Sequence, residues 1–316
     1  MRVGVTFPTM EVLDPLGVRD LAQAAEDLGY SHLLAWEQVA GADISHRPDW
    51  QGVPTLADIH EPLVLFGFLS GLTRRIELAT GVLVLPQRQT ALVAKQVAEL
   101  HLLSGGRVRL GLGIGWVRPQ FTALGMEWAE RGDRLVEQIA VLRALLSTDV
   151  VTFHGRWHDI EEMGIRPHPT TPVPIWLGGN ADVARSRAVA HADGWMPMFS
   201  LAQTTDSGVV ARLGSELNAA GRHLASTEAV QARGLRGEGP TPGAGFGLEM
   251  TLNLAGDFHA HADRGRSRDD LRAEAQQWAA LGVTHLNVNT QGLGLTPQGH
   301  LRALTDLWDV LADLPG

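Results

Sequence analysis

Cysteine is absent from this chain of 316 residues, and lysine is nearly so. The lack of cysteine excludes disulfide bonds, metal sites with thiolate ligands and a cysteine nucleophile. Lys95 is the only lysine, so a Schiff base is available at that position alone. It lies in the middle of a predicted helix, away from any strand end, and we therefore discount this role.

Long apolar runs and an excess of basic charge are also missing. No segment approaches the ~20 consecutive apolar residues that span a bilayer. The first residues, "MRVGVTFPTM", predict a strand and lack the apolar core and cleavage site of a signal peptide. The formal net charge of −9 argues against nucleic acid or an anionic membrane as partner. We therefore expect a cytoplasmic protein that acts on a small molecule.

A regular alternation of strand and helix patterns extends along the whole chain. Eight such units without a break in composition predict a single (β/α)8 TIM barrel over residues 1–316. A doubly wound open sheet is the alternative, but eight units fit a closed barrel better. The predicted strands are residues 3–7, 32–36, 76–86, 107–115, 172–180, 193–199, 247–256 and 283–290.

Three segments depart from this alternation. Residues 37–60 are polar and predict an extended loop after the second strand. Residues 150–161, "VVTFHGRWHDIE", predict a small hairpin inserted between two units. Residues 225–246 are rich in glycine, proline and alanine, and predict a mobile loop.

The stretch "RVRLGLGIGW" raises the question of a dinucleotide site. Gly111, Gly113 and Gly115 form G-x-G-x-G, one residue short of the fingerprint that joins a strand to a helix. We expect Pro119 to prevent a helix there, and Asp133 lies in a helical pattern and not at a strand end. The remaining explanation is close approach to the backbone by a neighbouring strand or a ligand. A position at the C-terminal mouth of the barrel favours a ligand.

Five motifs, in this order, resemble the bacterial luciferase-like monooxygenase superfamily, and most closely its coenzyme F420-dependent branch. They are "LATGVLVLPQR", "AKQVAELHLLSGGRVRLGLGIGW", "ALGMEWAERGDRL", "PVPIWLGG" and "ADGWMP". The resemblance is strongest from residue 2 to about residue 200. It implies one TIM barrel that binds FMN or the deazaflavin F420 at the C-terminal ends of its strands.

The resemblance also implies which residues hold the cofactor. A non-proline cis peptide bond between Gly81 and Val82 would lie behind the flavin ring. The helix that follows Asn180 would attract the phosphate with its free N–H groups. The implied cofactor-binding residues are Phe7, Glu37, Thr80, Gly81, Val82, Gly113, Ile114, Gly115, Gly178, Gly179 and Asn180.

Two positions differ from many F420-dependent relatives. Glu37-Gln38 stands where those relatives carry Asp-His, so the usual histidine acid or base is missing. Trp116 follows the fourth strand where several relatives carry a carboxylate, which argues against a sugar phosphate as substrate. The remaining catalytic candidates are Glu37, His60 and Trp116. Trp116 is also a candidate, with Trp50 and Trp195, for an apolar substrate wall.

The sequence therefore predicts hydride transfer between F420 and a largely apolar small molecule. An FMN-dependent monooxygenase and a non-catalytic flavin-binding barrel are the alternatives. Arg88 and Arg118 are placed to meet the acidic tail of F420, and we expect a homodimer. His154 and His158 have the spacing of two metal ligands but lie in a predicted hairpin without a third, so no metal site is predicted.

Overall fold

The computed structural model describes residues 1–43, 57–226, 245–254 and 267–312, together with residue 229. The strands are β1 (Arg2–Thr6), β2 (His32–Ala35), β3 (Glu77–Thr80), β4 (Leu83–Val84), β5 (Val108–Gly113), β6 (Val151–His154), β7 (Asp159–Met163), β8 (Ile175–Gly178), β9 (Gly194–Met196), β10 (His223–Leu224), β11 (Gly245–Asn253) and β12 (His285–Asn289). The helices are α1 (Pro15–Leu28), α2 (Pro62–Ser70), α3 (Thr90–Leu103), α4 (Arg118–Ala123), α5 (Arg131–Ser147), α6 (Asp182–His191), α7 (Leu201–Ser207), α8 (Val209–Ala219), α9 (Arg268–Ala280) and α10 (Pro297–Leu311).

The parallel strands close into a barrel. Its order is β1, β2, β3, β5, β8, β9, β11 and β12, and β12 pairs again with β1. This arrangement confirms the predicted (β/α)8 fold. The short strand β4 continues β3 beyond a break and pairs with β5. Among the described residues, no helix combines the length and apolar character needed to cross a bilayer.

The hairpin prediction is confirmed, because β6 and β7 form an antiparallel pair outside the barrel. The prediction that Pro119 prevents a helix was wrong. Helix α4 begins at Arg118 and holds Pro119 in its first turn, where the missing N–H has no partner to lose. Asp133 lies in the first turn of α5, as the helical pattern predicted. Residues 44–56, 227–228 and 230–244, on which parts of the loop predictions fall, lie outside the described residues.

Side-chain caps and glycines set the ends of the outer helices. Asp14 begins α1 by accepting a hydrogen bond from the Gly17 N–H at 2.7 Å. Gly29 ends the same helix with a φ of 105°, a conformation that costs other residues more. Thr296 caps α10 in the manner of Asp14. These local signals position the helices around the strands.

A charged cluster fills the barrel interior below the C-terminal mouth. The Arg109 Nε donates to Glu77 at 2.5 Å, and its terminal nitrogens donate to Glu249. Arg2 also pairs with Glu77, at 3.0 Å. His32 contacts Glu249 at 2.9 Å. TIM barrels usually fill this space with branched aliphatic side chains, so this interior depends on complete pairing of its charges.

The electrostatics of this cluster keep its carboxylates ionised and its histidines neutral. Burial alone would raise the pKa of Glu249, but the Arg109 guanidinium and the His32 hydrogen bond hold that pKa well below its usual range. Burial lowers the pKa of His32, and lowers that of His285 further with the help of the nearby Arg109 charge. The native barrel therefore resists protonation at all three residues.

We expect the free energy of unfolding to fall in two steps on acidification. Below a pH of about 6.5 the unfolded chain binds protons at His32 and His285 that the native protein does not. Below about pH 4.3 the unfolded chain also protonates Glu249 ahead of the native state. Urea unfolding from about pH 8 down to about pH 3 measures both steps.

His285→Gln should make the first step smaller, because it removes one of the two histidines that bind a proton only in the unfolded chain. His223→Gln is the matched control, because His223 is exposed and should leave the profile unchanged. A wild-type stability that stays constant between pH 7.5 and pH 5 would contradict neutral histidines in the native barrel.

The alternating glycines of β5 and of the loop that follows it make room for the neighbouring segment. A β-carbon added at any of them would overlap an atom of the segment that runs from β3 through β4. The facing pairs are Gly111 with the Thr80 carbonyl, Gly113 with Val82 at 2.5 Å, and Gly115 with Val84 at 2.6 Å. The nearest neighbour is protein at every position, so ligand approach alone does not explain these glycines.

We expect Gly111→Ala to lower the free energy of unfolding by about 1–3 kcal/mol, because its methyl group meets a backbone carbonyl that cannot move aside. The control is Gly214→Ala in α8, where the added methyl has open space. This control should be neutral or stabilising by up to about 1 kcal/mol. Denaturant melts compare the two, and equal effects would refute the packing role of Gly111.

Candidate active site

A cavity of about 660 Å³ opens at the C-terminal ends of the barrel strands. Loops that follow β2, β3, β5, β8 and β9 form its walls, and side chains of β11 and β12 form its floor. Most of the lining surface is apolar. This volume and character are typical of a site for a cofactor with a small organic molecule.

Most of the predicted site residues meet at this cavity. Those that line it are Glu37, Gly81, Val82, Gly113, Ile114, Gly115, Trp116, Gly178, Gly179 and Asn180. Three predicted residues are not among the described lining residues. Phe7 is fully buried, the Thr80 hydroxyl donates to the Gly111 carbonyl at 2.7 Å, and the His60 Nε2 lies 3.1 Å from the Val12 carbonyl oxygen.

The tryptophans and histidines that the sequence singled out have different positions. Trp195 is buried and donates its Nε1 hydrogen to the Gly179 carbonyl at 3.0 Å, so it supports the wall from behind. Trp50 lies outside the described residues. His154 pairs with Asp159, and His158 contacts Glu137 at 2.7 Å. Among the described residues, no group of three or more possible metal-ligating His, Cys, Asp or Glu side chains occurs.

The peptide bond between Gly81 and Val82 is cis. A β-carbon at position 81 would lie 2.5 Å from Leu34, so only glycine fits there. The Val82 side chain lies between two glycines of neighbouring strands, Gly113 and Gly178. The chain therefore presents a compact apolar wall at this side of the cavity, of the kind on which a planar ring can stack.

Glu37 has a mainly structural set of contacts. Its buried carboxylate accepts hydrogen bonds from the Val84 N–H and from Arg88, whose Nε is 2.8 Å away. Glu61 also accepts a hydrogen bond from Arg88, whose Nη2 lies 2.8 Å from the Glu61 Oε1. Burial raises the pKa of Glu37, while Arg88 and the Val84 amide oppose this effect. Glu37 therefore fixes the segment after β3 at the place where it borders the cavity.

The contacts of Glu37 also correct the role expected of Arg88. We predicted that Arg88 would be available to an acidic cofactor tail, but its guanidinium is paired with two carboxylates. Arg118 is exposed and is not among the described lining residues. Arg131, which sequence reasoning missed, does line the cavity. Its guanidinium lies 3.6 Å from the centre of the Trp128 ring, and its Nε donates to the Gly115 carbonyl.

The loop after β8 ends at the open N-terminus of α6. Gly179 has a φ of 113°, and the Asn180 side chain exchanges hydrogen bonds with the Met198 backbone at 2.8 and 2.9 Å. No described side chain caps α6 at Ala181, so its first N–H groups face outward. Such a terminus attracts anions. The carboxylate of Asp182 in the first turn is paired with Arg185.

Polar floor residues were also missed from the sequence. Glu249, Thr251 and Asn287 line the cavity from strands β11 and β12. The signal that could have found them is the alternation of polar residues in "EMTLN" and "HLNVN", on strands that are otherwise apolar. Inward positions of a barrel strand recur every second residue, so these polar side chains share one face.

Comparison with known proteins agrees with this architecture. A family model described as luciferase-like monooxygenase matches residues 3–235. An uncharacterised protein of Mycobacterium tuberculosis is 39% identical over 186 residues, which cover 56% of this chain and 63% of the relative.

Relatives with named activities use different cofactors. An F420-dependent glucose-6-phosphate dehydrogenase of Amycolatopsis mediterranei is 30% identical over 198 residues, which are 58% of this chain and 54% of the relative. An FMNH2-dependent dimethylsulfone monooxygenase of Pseudomonas fluorescens is 29% identical over 178 residues, 55% and 46% of the two chains. The matches to these two relatives and to the mycobacterial protein span about half to two thirds of each relative's length.

Solved structures share the whole barrel at low sequence identity. An F420-dependent secondary alcohol dehydrogenase in complex with an F420–acetone adduct superposes with a TM-score of 0.73 at 16% identity, covering 100% of this chain and 99% of the other. EDTA monooxygenase from Chelativorans sp. BNC1 gives a TM-score of 0.76 at 12% identity, with 100% and 95% covered. These structures support the fold, and the family model matches well over half of the sequence, so the chain belongs to the luciferase-like monooxygenase family.

Proposed function

We propose that this protein is an oxidoreductase that transfers a hydride between coenzyme F420 and a small, largely apolar organic molecule. The observation that carries the proposal is one continuous cavity with a compact apolar wall at Gly81–Val82 and an uncapped helix N-terminus at its edge. A deazaflavin needs both features, one for its ring and one for its phosphate.

The residues present fit such a cofactor. Val82 and the glycines beside it offer a wall against which the ring would lie. Gly178, Gly179 and the first turn of α6 would hold the phosphate through backbone N–H groups. When bound, F420 supplies a ring carbon that accepts or donates the hydride. The protein binds and orients the two reactants and keeps water away from them.

The walls of the cavity indicate the character of the substrate. Apolar side chains also dominate the rest of the cavity lining, among them Met10, Ile59, Pro197 and Met198. Methionines adapt their shape to irregular apolar ligands. Glu37 is committed to Arg88, and Trp116 stands where a carboxylate would be needed for the sugar-phosphate type of site. These features favour an uncharged, largely apolar substrate.

Two alternatives are carried by specific observations. An FMN-dependent monooxygenase is an alternative because FMN- and F420-dependent enzymes match this chain at nearly equal identity. A non-catalytic flavin-binding barrel is an alternative because Gln38 and Trp116 stand where many F420-dependent relatives carry a histidine and a carboxylate. Cofactor affinity separates the first alternative from the proposal, and steady turnover of reduced F420 with an electron acceptor separates the second.

We expect F420 to bind at least about tenfold more tightly than FMN, a difference of about 1.4 kcal/mol. The physical reason is the acidic tail of F420, which would meet the guanidinium of Arg131 at the cavity and that of Arg118 outside it. Fluorescence titration of the purified protein with each cofactor measures both dissociation constants. Tighter binding of FMN would overturn the choice of F420.

The same titrations locate the phosphate with one variant. Gly179→Asp places a carboxylate beside the first turn of α6 and should weaken both cofactors by at least about tenfold through charge repulsion. The control is Gly105→Asp, which also has a positive φ and open space but lies between α3 and β5, at the opposite end of the barrel. Unchanged affinity in Gly179→Asp would place the phosphate elsewhere.

We also propose that the protein forms a homodimer through α2. Val64 and Phe68 lie one turn apart on this helix and are 73% and 47% exposed, and Leu92 on the neighbouring α3 is exposed as well. An exposed apolar patch of this kind favours association.

Phe68→Glu should halve the molar mass measured by light scattering, because it places a charge in the proposed apolar contact. Leu16→Glu on α1, which replaces another exposed apolar residue, should leave the mass unchanged. A monomeric wild-type protein, or a dimer that persists in Phe68→Glu, would refute this interface.

A further inference from the structure

The floor of the cavity contains a hydrogen-bond acceptor that the described residues leave unused. Asn287 of β12 is fully buried and lines the cavity. Its Nδ2 donates to the Glu249 carboxylate. Its Oδ1 has no hydrogen-bond partner among the described residues. Among the described residues, several buried side chains have an unpaired polar atom, but only Asn287 also lines the cavity. Because buried acceptors in native proteins nearly always have a partner, this position points to a ligand.

The orientation of this amide follows from its neighbour. An ionised carboxylate only accepts hydrogen bonds, so the nitrogen of Asn287, and not its oxygen, must face Glu249. Glu249 is held in turn by Arg109 and His32. The amide therefore cannot exchange the positions of its nitrogen and oxygen without breaking this buried arrangement.

The barrel topology places this acceptor on the substrate side of the cavity. In the closed order of eight strands, β3 and β11 are four strands apart and therefore lie on opposite sides. The apolar wall at Gly81–Val82 follows β3, whereas Thr251 and Asn287 are register partners on β11 and β12. A ring against the first wall leaves its other face toward this floor, and the substrate would lie between them.

We propose that Asn287 is a specificity-determining residue whose Oδ1 accepts a hydrogen bond from the hydroxyl group of an alcohol substrate. This proposal rests on the proposed function, because it takes the ring to lie against the β3 side. An alcohol can donate to Oδ1, but the corresponding ether and ketone cannot. Thr251, whose hydroxyl both donates and accepts, does not make this distinction. The site therefore selects the reduced, hydroxyl-bearing form of its substrate.

The test compares matched ligands on the F420-loaded protein. The probes are C4–C8 alcohols, linear and cyclic, each paired with its methyl ether and its ketone, and calorimetry or competition measures the dissociation constants. We expect at least one alcohol to bind about tenfold or more tightly than its partners, because a buried acceptor rejects ligands that leave it unpaired. Asn287→Leu should reduce this preference to less than about twofold.

Two further variants keep the result interpretable. Asn287→Ser retains a hydrogen-bond donor for Glu249 but removes the amide oxygen, so it should lose the preference for alcohols. It provides the test if Asn287→Leu fails to fold. Asn289→Leu is the matched control on the same strand. Its amide is already paired with Asn253 at 2.8 Å and with the Gln291 N–H at 3.0 Å, and the residue is not among the described lining residues. It should lower stability but keep the preference.

The outcomes separate the two proposals. If the wild-type protein does not bind F420, the proposed function is wrong. The same probes are then applied to the FMN-loaded protein, which tests the role of Asn287 alone. Equal binding of alcohols and ethers by the wild type, no binding of any alcohol, or a preference that survives both Asn287 variants would overturn the assignment. In those cases Oδ1 accepts a hydrogen bond from a bound water molecule and not from the substrate. Loss of the alcohol preference in the Asn287 variants, with unchanged F420 affinity, supports the role assigned to Asn287.

Discussion

The structure depends first on the pairing of Arg109 with two glutamates inside the barrel. Arg109 is buried, and it bridges Glu77 on one side and Glu249 on the other. Removing it would leave the buried Glu249 carboxylate without its main counter-charge and would leave Glu77 with Arg2 alone. Breaking a buried ion pair in this way typically costs about 3–5 kcal/mol in folded proteins. The same contact fixes Glu249, and Glu249 fixes the amide of Asn287. A single arginine near the barrel axis thus connects the stability of the fold with the chemistry of the cavity floor.

A second constraint acts between neighbouring strands. The segment after β3 contains the cis peptide bond Gly81–Val82, and it packs closely against β5 and the following loop because Gly111, Gly113 and Gly115 lack side chains. Glu37 and its partner Arg88 hold the far end of this segment through the Val84 N–H. The apolar wall is therefore built by packing inside the protein, and it exists before any ligand binds. Such a preformed wall lowers the cost of ordering a ring against it.

Local sequence patterns predicted the barrel well, but they did not predict contacts between residues far apart in the sequence. Alternating strands and helices, the hairpin and the Gly29 cap follow from periodicity and propensity within a few residues. Arg88 was misjudged because its partner Glu37 lies 51 residues away. The pairing of Arg109 with Glu249 spans 140 residues. Polar residues on buried strands conflict with simple apolar patterning, and such conflicts often mark functional positions, as the floor residues illustrate.

The charges below the cavity also bear on the kind of reaction it suits. Arg2 and Arg109 balance Glu77 and Glu249, and burial keeps His32 and His285 neutral, so the cluster carries no net charge. Glu249, the carboxylate of this cluster that lines the cavity, is neutralised by Arg109 and accepts a hydrogen bond from the Asn287 amide. An uncharged substrate loses little on entering such a site. A phosphorylated one would need several cations deep in the cavity, and among the described lining residues Arg131 alone supplies one, at the first residue of α5.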